Sequence, residues 1–169
     1  GLDIDGMGTK QLELFISRGW INTPADIFTL ISLHGDTIKN MGGFGERSVH
    51  NLNQSIENAR TVDLHRFLYA IGIPDIGQVT AKILAKSFGT LDALRNAKEW
   101  QLKNIDGIGD VMAQQIVSFF ADIHNINALD KLLAQVTVRN MAVTTTKTNT
   151  ALTGKRVVLT GTLPNYTRD

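Results

Sequence analysis

The chain has 169 residues, 43% of them hydrophobic, which is enough for one compact core and a small additional segment. It contains no cysteine, so disulfides and thiolate zinc sites are excluded within these residues. No apolar run approaches the roughly 20 residues that a membrane span requires, so no contact with a membrane is expected. The formal net charge is only +1, whereas a protein that held nucleic acid mainly by charge would be far more basic.

Residues 1–142 are predicted to form an all-α domain, because apolar residues recur at spacings of three and four and strand-like alternation is rare. Thr23 followed by Pro24 is typical of an N-cap and a proline at the first helical position. The segment Phe88–Thr90 is typical of a helix end, a C′ glycine and the next N-cap. Three further glycines are placed to end helices: Gly19, Gly42 and Gly72.

The character of the sequence changes at residue 143. Residues 143–151 are polar and rich in threonine, without a helical period, and this composition predicts a linker. The run Gly154–Gly161 is β-branched and bounded by glycines, which predicts a strand. Residues 152–169 are too few to complete a sheet, so we expect them to be the truncated start of a second domain.

A short pattern occurs four times, each time before a predicted helix: an apolar residue, any residue, glycine, an apolar residue and glycine. The second glycines lie 37, 32 and 32 residues apart, and such a period indicates an array of similar supersecondary units. Four and seven positions after each second glycine stand apolar or small residues, which lie on one helix face. The first to fourth hairpins of this array are Ile4–Gly8, Met41–Gly45, Ile73–Gly77 and Ile105–Gly109.

These residue types suit a turn that binds phosphate. Glycine adopts positive φ values without steric cost and lets the backbone approach a ligand closely. The second glycine begins a helix, where amides are unpaired and the helix dipole is positive, so several N–H groups can point at one phosphate. The apolar residue between the glycines is expected to fold back between the helices. The predicted phosphate-binding residues of the turns are Gly6, Met7, Gly8, Gly43, Phe44, Gly45, Ile76, Gly77, Gly107, Ile108 and Gly109.

The four copies differ in charge. Two residues after the second glycine, the first two hairpins carry Lys10 and Arg47, whereas the last two carry Val79 and Val111. A basic side chain at this position can add a charge-assisted bond to a phosphate, although a solvated cation at a helix start is the alternative. The third hairpin has Asp75 where its first glycine would stand, so we expect it to make the weaker phosphate contact.

The hairpins and the segments between them follow one another in the order found in bacterial NAD⁺-dependent DNA ligases. The resemblance covers nearly the whole chain and implies four helix-hairpin-helix units arranged as two pseudo-symmetric pairs. Beyond the linker, Leu152–Leu163 resembles the opening strand of that family's BRCT domain. The matching segments before it are Gly6–Lys10, Gly43–Ser48, Arg66–Ile73, Phe88–Leu91 and Ile105–Gly109.

The resemblance implies that the chain binds nicked duplex DNA along the minor groove, without reading its sequence, inside the bacterial cytoplasm. The parent ligase would join a 3′-hydroxyl to a 5′-phosphate with NAD⁺, Mg²⁺ and structural Zn²⁺, its remaining domains acting in cis. This chain contains neither a Lys-x-Asp-Gly adenylation motif nor a four-cysteine module, so we expect no catalytic residue, cofactor or metal within it. The alternatives are a helical protein-interaction scaffold and a helix-hairpin-helix module of another repair or junction protein.

Overall fold

The computed structural model describes residues 1–143 and shows a mostly helical fold, which confirms the predicted class. Most of the predicted linker and the whole predicted strand Gly154–Gly161 lie outside the described residues. Within residues 1–143, no helix combines the length and the apolar character that a bilayer span requires.

Short helices follow one another along the chain, separated by turns of a few residues. The helices are α1 (Thr9–Ser17), a 3₁₀ helix (Pro24–Thr29), α2 (Leu30–Lys39), α3 (Glu46–Ala59), α4 (Leu64–Ala70), α5 (Gln78–Phe88), α6 (Leu91–Arg95), α7 (Glu99–Lys103), α8 (Asp110–Ala121) and α9 (Ile123–Leu133). The two strands are β1 (Thr61–Asp63) and β2 (Thr137–Arg139).

Most of the predicted helix boundaries are confirmed. Thr23 is the N-cap residue of the 3₁₀ helix that starts at Pro24, and its amide donates to the Asp26 carboxylate at 2.7 Å. The hydroxyl of Thr90 accepts a hydrogen bond from the amide of Ala93 at 3.1 Å. Gly89 has a φ of +72° directly after α5. Gly19 and Gly72 likewise have positive φ values just after α1 and α4.

The prediction for Gly42 is wrong. Helix α2 ends at Lys39 with Asn40 as its C-cap, and the positive φ of +89° belongs to Gly43. Asn40 closes the helix because its own amide donates to Thr37 and its side-chain amide donates to the carbonyl of Asp36 at 2.8 Å. The last helical residue, Lys39, is therefore three positions before the glycine that was expected to end the helix.

The sequence predicts no strand before residue 143, yet β1 and β2 pair in parallel, with Val62 opposite Val138. Three residues are too few to show an alternating pattern. The pairing joins the chain after α3 to the chain after α9, so it connects the two halves of the helical array.

The core runs through the whole described chain. The residues seven positions after each second glycine are almost completely buried, which confirms that each hairpin opens a helix whose apolar face points inward. Among residues 1–143, no polar or charged residue is buried. The four residues at this position are Phe15, Leu52, Leu84 and Ile116.

Arg60 connects the two halves beside the strand pair. Its guanidinium donates to the carbonyl of Phe28 at 2.8 Å and to the carbonyl and side-chain oxygen of Gln135, both at 3.1 Å. It also lies over the Phe28 ring, 5.3 Å from the centroid, and forms an ion pair with Glu57. The Arg60 carbonyl accepts from the amide of Thr137 at 2.6 Å, so one residue bonds three separate segments.

Replacing Arg60 with alanine is expected to lower the free energy of unfolding by about 2–4 kcal/mol, because two partly buried carbonyls lose charged donors. Urea denaturation followed by circular dichroism measures the change. Arg66→Ala is the matched control, since Arg66 pairs with Asp3 at the surface and such a pair contributes less than about 1 kcal/mol. Equal losses in the two variants would contradict the role assigned to Arg60.

Candidate nucleic-acid interface

The four turns share one backbone geometry. In each, the amide of the apolar residue between the two glycine positions donates to the carbonyl three residues earlier, and the residue before it has a positive φ. This is the third position of a type II turn, which requires φ above zero. The hydrogen bonds are Met7 to Ile4 (3.2 Å), Phe44 to Met41 (3.1 Å), Ile76 to Ile73 (3.1 Å) and Ile108 to Ile105 (3.0 Å). The positive φ values are +83° at Gly6, +89° at Gly43, +61° at Asp75 and +88° at Gly107.

The third turn keeps this geometry although it lacks the first glycine. Asp75 adopts the left-handed conformation, which aspartate tolerates better than most residues, and Pro74 occupies the preceding position, where proline is favoured. The change of sequence therefore does not alter the path of the hairpin. Any weakening of the third hairpin would come from the exposed carboxylate of Asp75, and it stays a prediction.

The apolar residues between the glycines fold back into the protein, as predicted. Ile76 and Ile108 belong to the core, while Met7 and Phe44 are half-buried and pack against it. The Phe44 ring lies 5.8 Å from that of Phe15. Because their amides close the turn and their side chains pack inward, the structure gives these four residues a structural role, and their predicted contact with phosphate stays untested.

The helix after each turn begins in the same way at all four sites. The carbonyl of the second glycine accepts the first helical hydrogen bond, from the amide four residues later, at 2.9 to 3.0 Å. Among residues 1–143, no side chain caps these helix starts, and no protein acceptor binds the amides of the second glycine and the two residues after it. The four second glycines are Gly8, Gly45, Gly77 and Gly109.

The fold itself does not require glycine at this second position. The φ values there are −75°, −148°, −81° and −84° with ψ near 180°, which any residue adopts, so the expected positive φ is confined to the first position. A Cβ at Gly45, Gly77 or Gly109 would have no protein neighbour within 4 Å. At Gly8 it would meet only the end of the Gln11 side chain, at 2.9 Å. The missing side chain therefore leaves room for something outside the chain.

The acidic residues at two of the helix starts are paired with lysines that sequence reasoning missed. Lys39 bonds Glu46 at 2.9 Å across the second hairpin. Lys103 bonds Asp110 at 3.2 Å across the fourth hairpin and also Glu99, in its own helix, at 2.6 Å. Both lysines stand six residues before the second glycine, and this shared spacing is the signal that could have revealed them. The hydrogen bond from Lys39, together with its charge, lowers the pKa of Glu46, so the carboxylate is ionised and paired at neutral pH.

Lys10 and Arg47, the two cations that the sequence predicts beside a phosphate, are not paired with an acid in this way. Lys10 and Arg47 are exposed at the second helical position of α1 and α3, and neither has an acidic partner within 4 Å among residues 1–143. Their charges are therefore available beside the exposed amides of the first two hairpins. Val79 and Val111 occupy the same position at the third and fourth hairpins and are also exposed.

Substitution by serine should have opposite effects on folding stability at the two glycines of a hairpin. Gly43→Ser places a side chain at a φ of +89° and is expected to cost about 1–2 kcal/mol of folding free energy. Gly45→Ser places a good N-cap in open space and is expected to leave stability unchanged or to raise it by a few tenths of a kcal/mol. Urea denaturation of both variants tests this, and equal destabilisation would contradict the assignment of positive φ to the first glycine alone.

Comparison with known proteins agrees with this geometry. Residues 66–129, which include the third and fourth hairpins, match a family model described as a helix-hairpin-helix motif. A protein named DNA ligase from Rhodopseudomonas palustris (strain TIE-1) is 46% identical over 99% of this chain and 26% of its own length. The DNA ligases of Beijerinckia indica and Roseobacter denitrificans are 41% and 37% identical over 99% and 98% of this chain. The chain spans about a quarter of the length of these relatives, and it is similar to them over nearly all of its own length.

Proposed function

We propose that this chain binds the sugar-phosphate backbone of duplex DNA and positions nicked DNA for an NAD⁺-dependent DNA ligase. The observation that carries the proposal is the set of four helix starts whose amides have no protein acceptor, each beside a glycine that the fold does not require. The relatives named DNA ligase and the helix-hairpin-helix match support DNA as the ligand.

Each hairpin would bind one phosphate through main-chain amides. Several N–H groups converge at a helix start, where the helix dipole also favours an anion, and the absent side chain lets the phosphate come close. Such contacts position a duplex but carry no sequence information, since every nucleotide presents the same phosphate. The near-neutral charge of the chain fits this mode of binding, because directional hydrogen bonds rather than a basic surface would supply much of the contact.

Contacts between hairpins support the arrangement in two pairs. A Cβ built on Gly6 of the first hairpin lies 3.7 Å from Leu52, in the helix of the second. A Cβ built on Gly107 of the fourth hairpin lies 3.6 Å from Ile83, in the helix of the third. Two hairpins that pack against each other in this way can hold opposite strands across a minor groove, which is the arrangement we infer for each pair.

The chemistry of ligation would belong to other parts of the parent protein. The chain has no Lys-x-Asp-Gly motif, and residues 1–143 contain no cluster of three histidine, aspartate or glutamate side chains suited to a metal. We propose that NAD⁺, Mg²⁺ and Zn²⁺ are held by further domains that act in cis.

A double variant separates DNA binding from folding. Gly45→Ser combined with Gly109→Ser puts hydroxyls where two phosphates would sit, and each hydroxyl can cap the amides that the phosphate would use. Affinity for nicked duplex DNA, measured by fluorescence anisotropy, should fall at least about tenfold, since an amide bond to a charged group contributes about 1.5–3 kcal/mol. Asn53→Ser, at an exposed site further along α3, is the control and should bind as the wild type does. Undiminished binding by the double variant would refute the amide contact.

The unpaired cations predict a change in salt dependence. Replacing Lys10 and Arg47 with alanine should weaken binding equally on all DNA sequences and reduce the slope of log affinity against log salt by about 2. Replacing Lys86 and Lys131, two exposed lysines distant in sequence from the hairpins, removes the same charge and should leave the slope nearly unchanged. Titrations at two salt concentrations measure both slopes, and the same reduction in both variants would show that only net charge matters.

A further inference from the structure

Two valines stand exposed at matching positions of the third and fourth hairpins. Val79 and Val111 are each the second residue of the helix that follows the turn, and they are 75% and 68% exposed. Within residues 1–143 they and Leu33 are the three most exposed large hydrophobic side chains.

The fold gives no reason for valine at these positions. Both side chains point into solvent rather than into the core that Ala81 and Ala113 occupy two residues later. A β-branched residue also forms a helix less readily than alanine or lysine, and its exposed methyl groups gain nothing from water. An exposed apolar residue that recurs in register at two equivalent turns fits a surface that contacts an apolar part of a ligand.

The position of these valines identifies that part of the ligand. The amides of Val79 and Val111 are themselves among the unpartnered N–H groups at the helix starts. A side chain whose own amide binds a phosphate lies beside the next unit of the same strand, which is a sugar. We propose that Val79 and Val111 pack against the deoxyribose edges of a B-form minor groove and so favour DNA over an A-form duplex; this rests on the proposed DNA binding.

One groove joins the surfaces of the two hairpins. Pro74 of the third hairpin and Val111 of the fourth line it together with Phe119 and with polar side chains, among them Gln114 and Asp122. Pro74 and Val111 thus place apolar groups of both hairpins on one groove, where paired hairpins would span the minor groove. The walls of that groove in B-form DNA are largely C–H edges of deoxyribose, which methyl groups can cover.

An A-form duplex presents a different surface. Its minor groove is wide and shallow and displays 2′-hydroxyl groups. A valine offers no hydrogen-bond partner to a hydroxyl. Burying a 2′-hydroxyl under a valine therefore costs free energy, whereas burying a deoxyribose edge does not. The valines would thus select the sugar, in contrast to Lys10 and Arg47, whose charges do not distinguish the two kinds of backbone.

The test compares the wild-type chain, Val79→Ala/Val111→Ala and Ile123→Ala on a DNA duplex and on an RNA·DNA hybrid of the same sequence. Alanine removes methyl groups without adding a polar atom, and it favours the helix. Ile123 is the matched control, because it is exposed in the first turn of α9 but follows no hairpin, and Asp122 caps its helix. Fluorescence anisotropy at two salt concentrations gives the affinities and the salt slopes.

The double variant should bind the DNA duplex roughly tenfold more weakly than the wild type, with an unchanged salt slope and a smaller loss on the hybrid. Ile123→Ala should bind both duplexes as the wild type does. If the wild type binds DNA and the double variant binds it equally well, the valine contact is refuted while the proposed function stands. Equal losses on both duplexes would refute the selection of deoxyribose. Wild-type chain that binds no DNA would refute the proposed function, and this inference with it.

Discussion

One hydrogen bond in each hairpin determines the backbone conformation of the turn and the exposure of the amides that follow it. The amide of the middle apolar residue donates to the carbonyl three residues earlier, as Ile108 does to Ile105 at 3.0 Å. Closing the turn in this way requires a left-handed residue just before the donor and turns the donor's side chain into the core. The next amides then lie at a helix start with no acceptor of their own. Folding and exposure of the amides therefore follow from the same bond.

Glycine occupies the two positions of a hairpin for different physical reasons. At the first, the positive φ explains the choice, and Asp75 shows that a residue tolerant of that conformation can replace glycine without changing the turn. At the second, the backbone is extended and the space around Gly45, Gly77 and Gly109 is empty, so neither strain nor packing explains glycine. A serine or aspartate would cap the helix better. The chain forgoes that stability where a cap would occupy the amides.

Features that depend on neighbouring residues could be predicted from the sequence, and features that depend on distant ones could not. Helix faces and turns follow from spacing and from glycine, so Phe15 and Gly89 behave as expected. Arg60 bonds Gln135 across 75 residues, and no local pattern indicates that contact. The error at Gly42 has a local cause, since Asn40 closes α2 through its own amide and side chain before the chain reaches the glycine.

The near-neutral charge of the chain is compatible with a polyanionic ligand because charge is distributed unevenly. Lys39 pairs with Glu46 beside the second helix start, and Lys103 is shared between Glu99 and Asp110 beside the fourth, so each acid at a helix start lies next to a cation. The first pair of hairpins keeps two free cations, which act over a distance comparable with the screening length of about 10 Å. The second pair offers valines, which act only on contact. The cations of the first pair would thus favour the first encounter with DNA, whereas the valines of the second pair would contribute only once they fit into the groove.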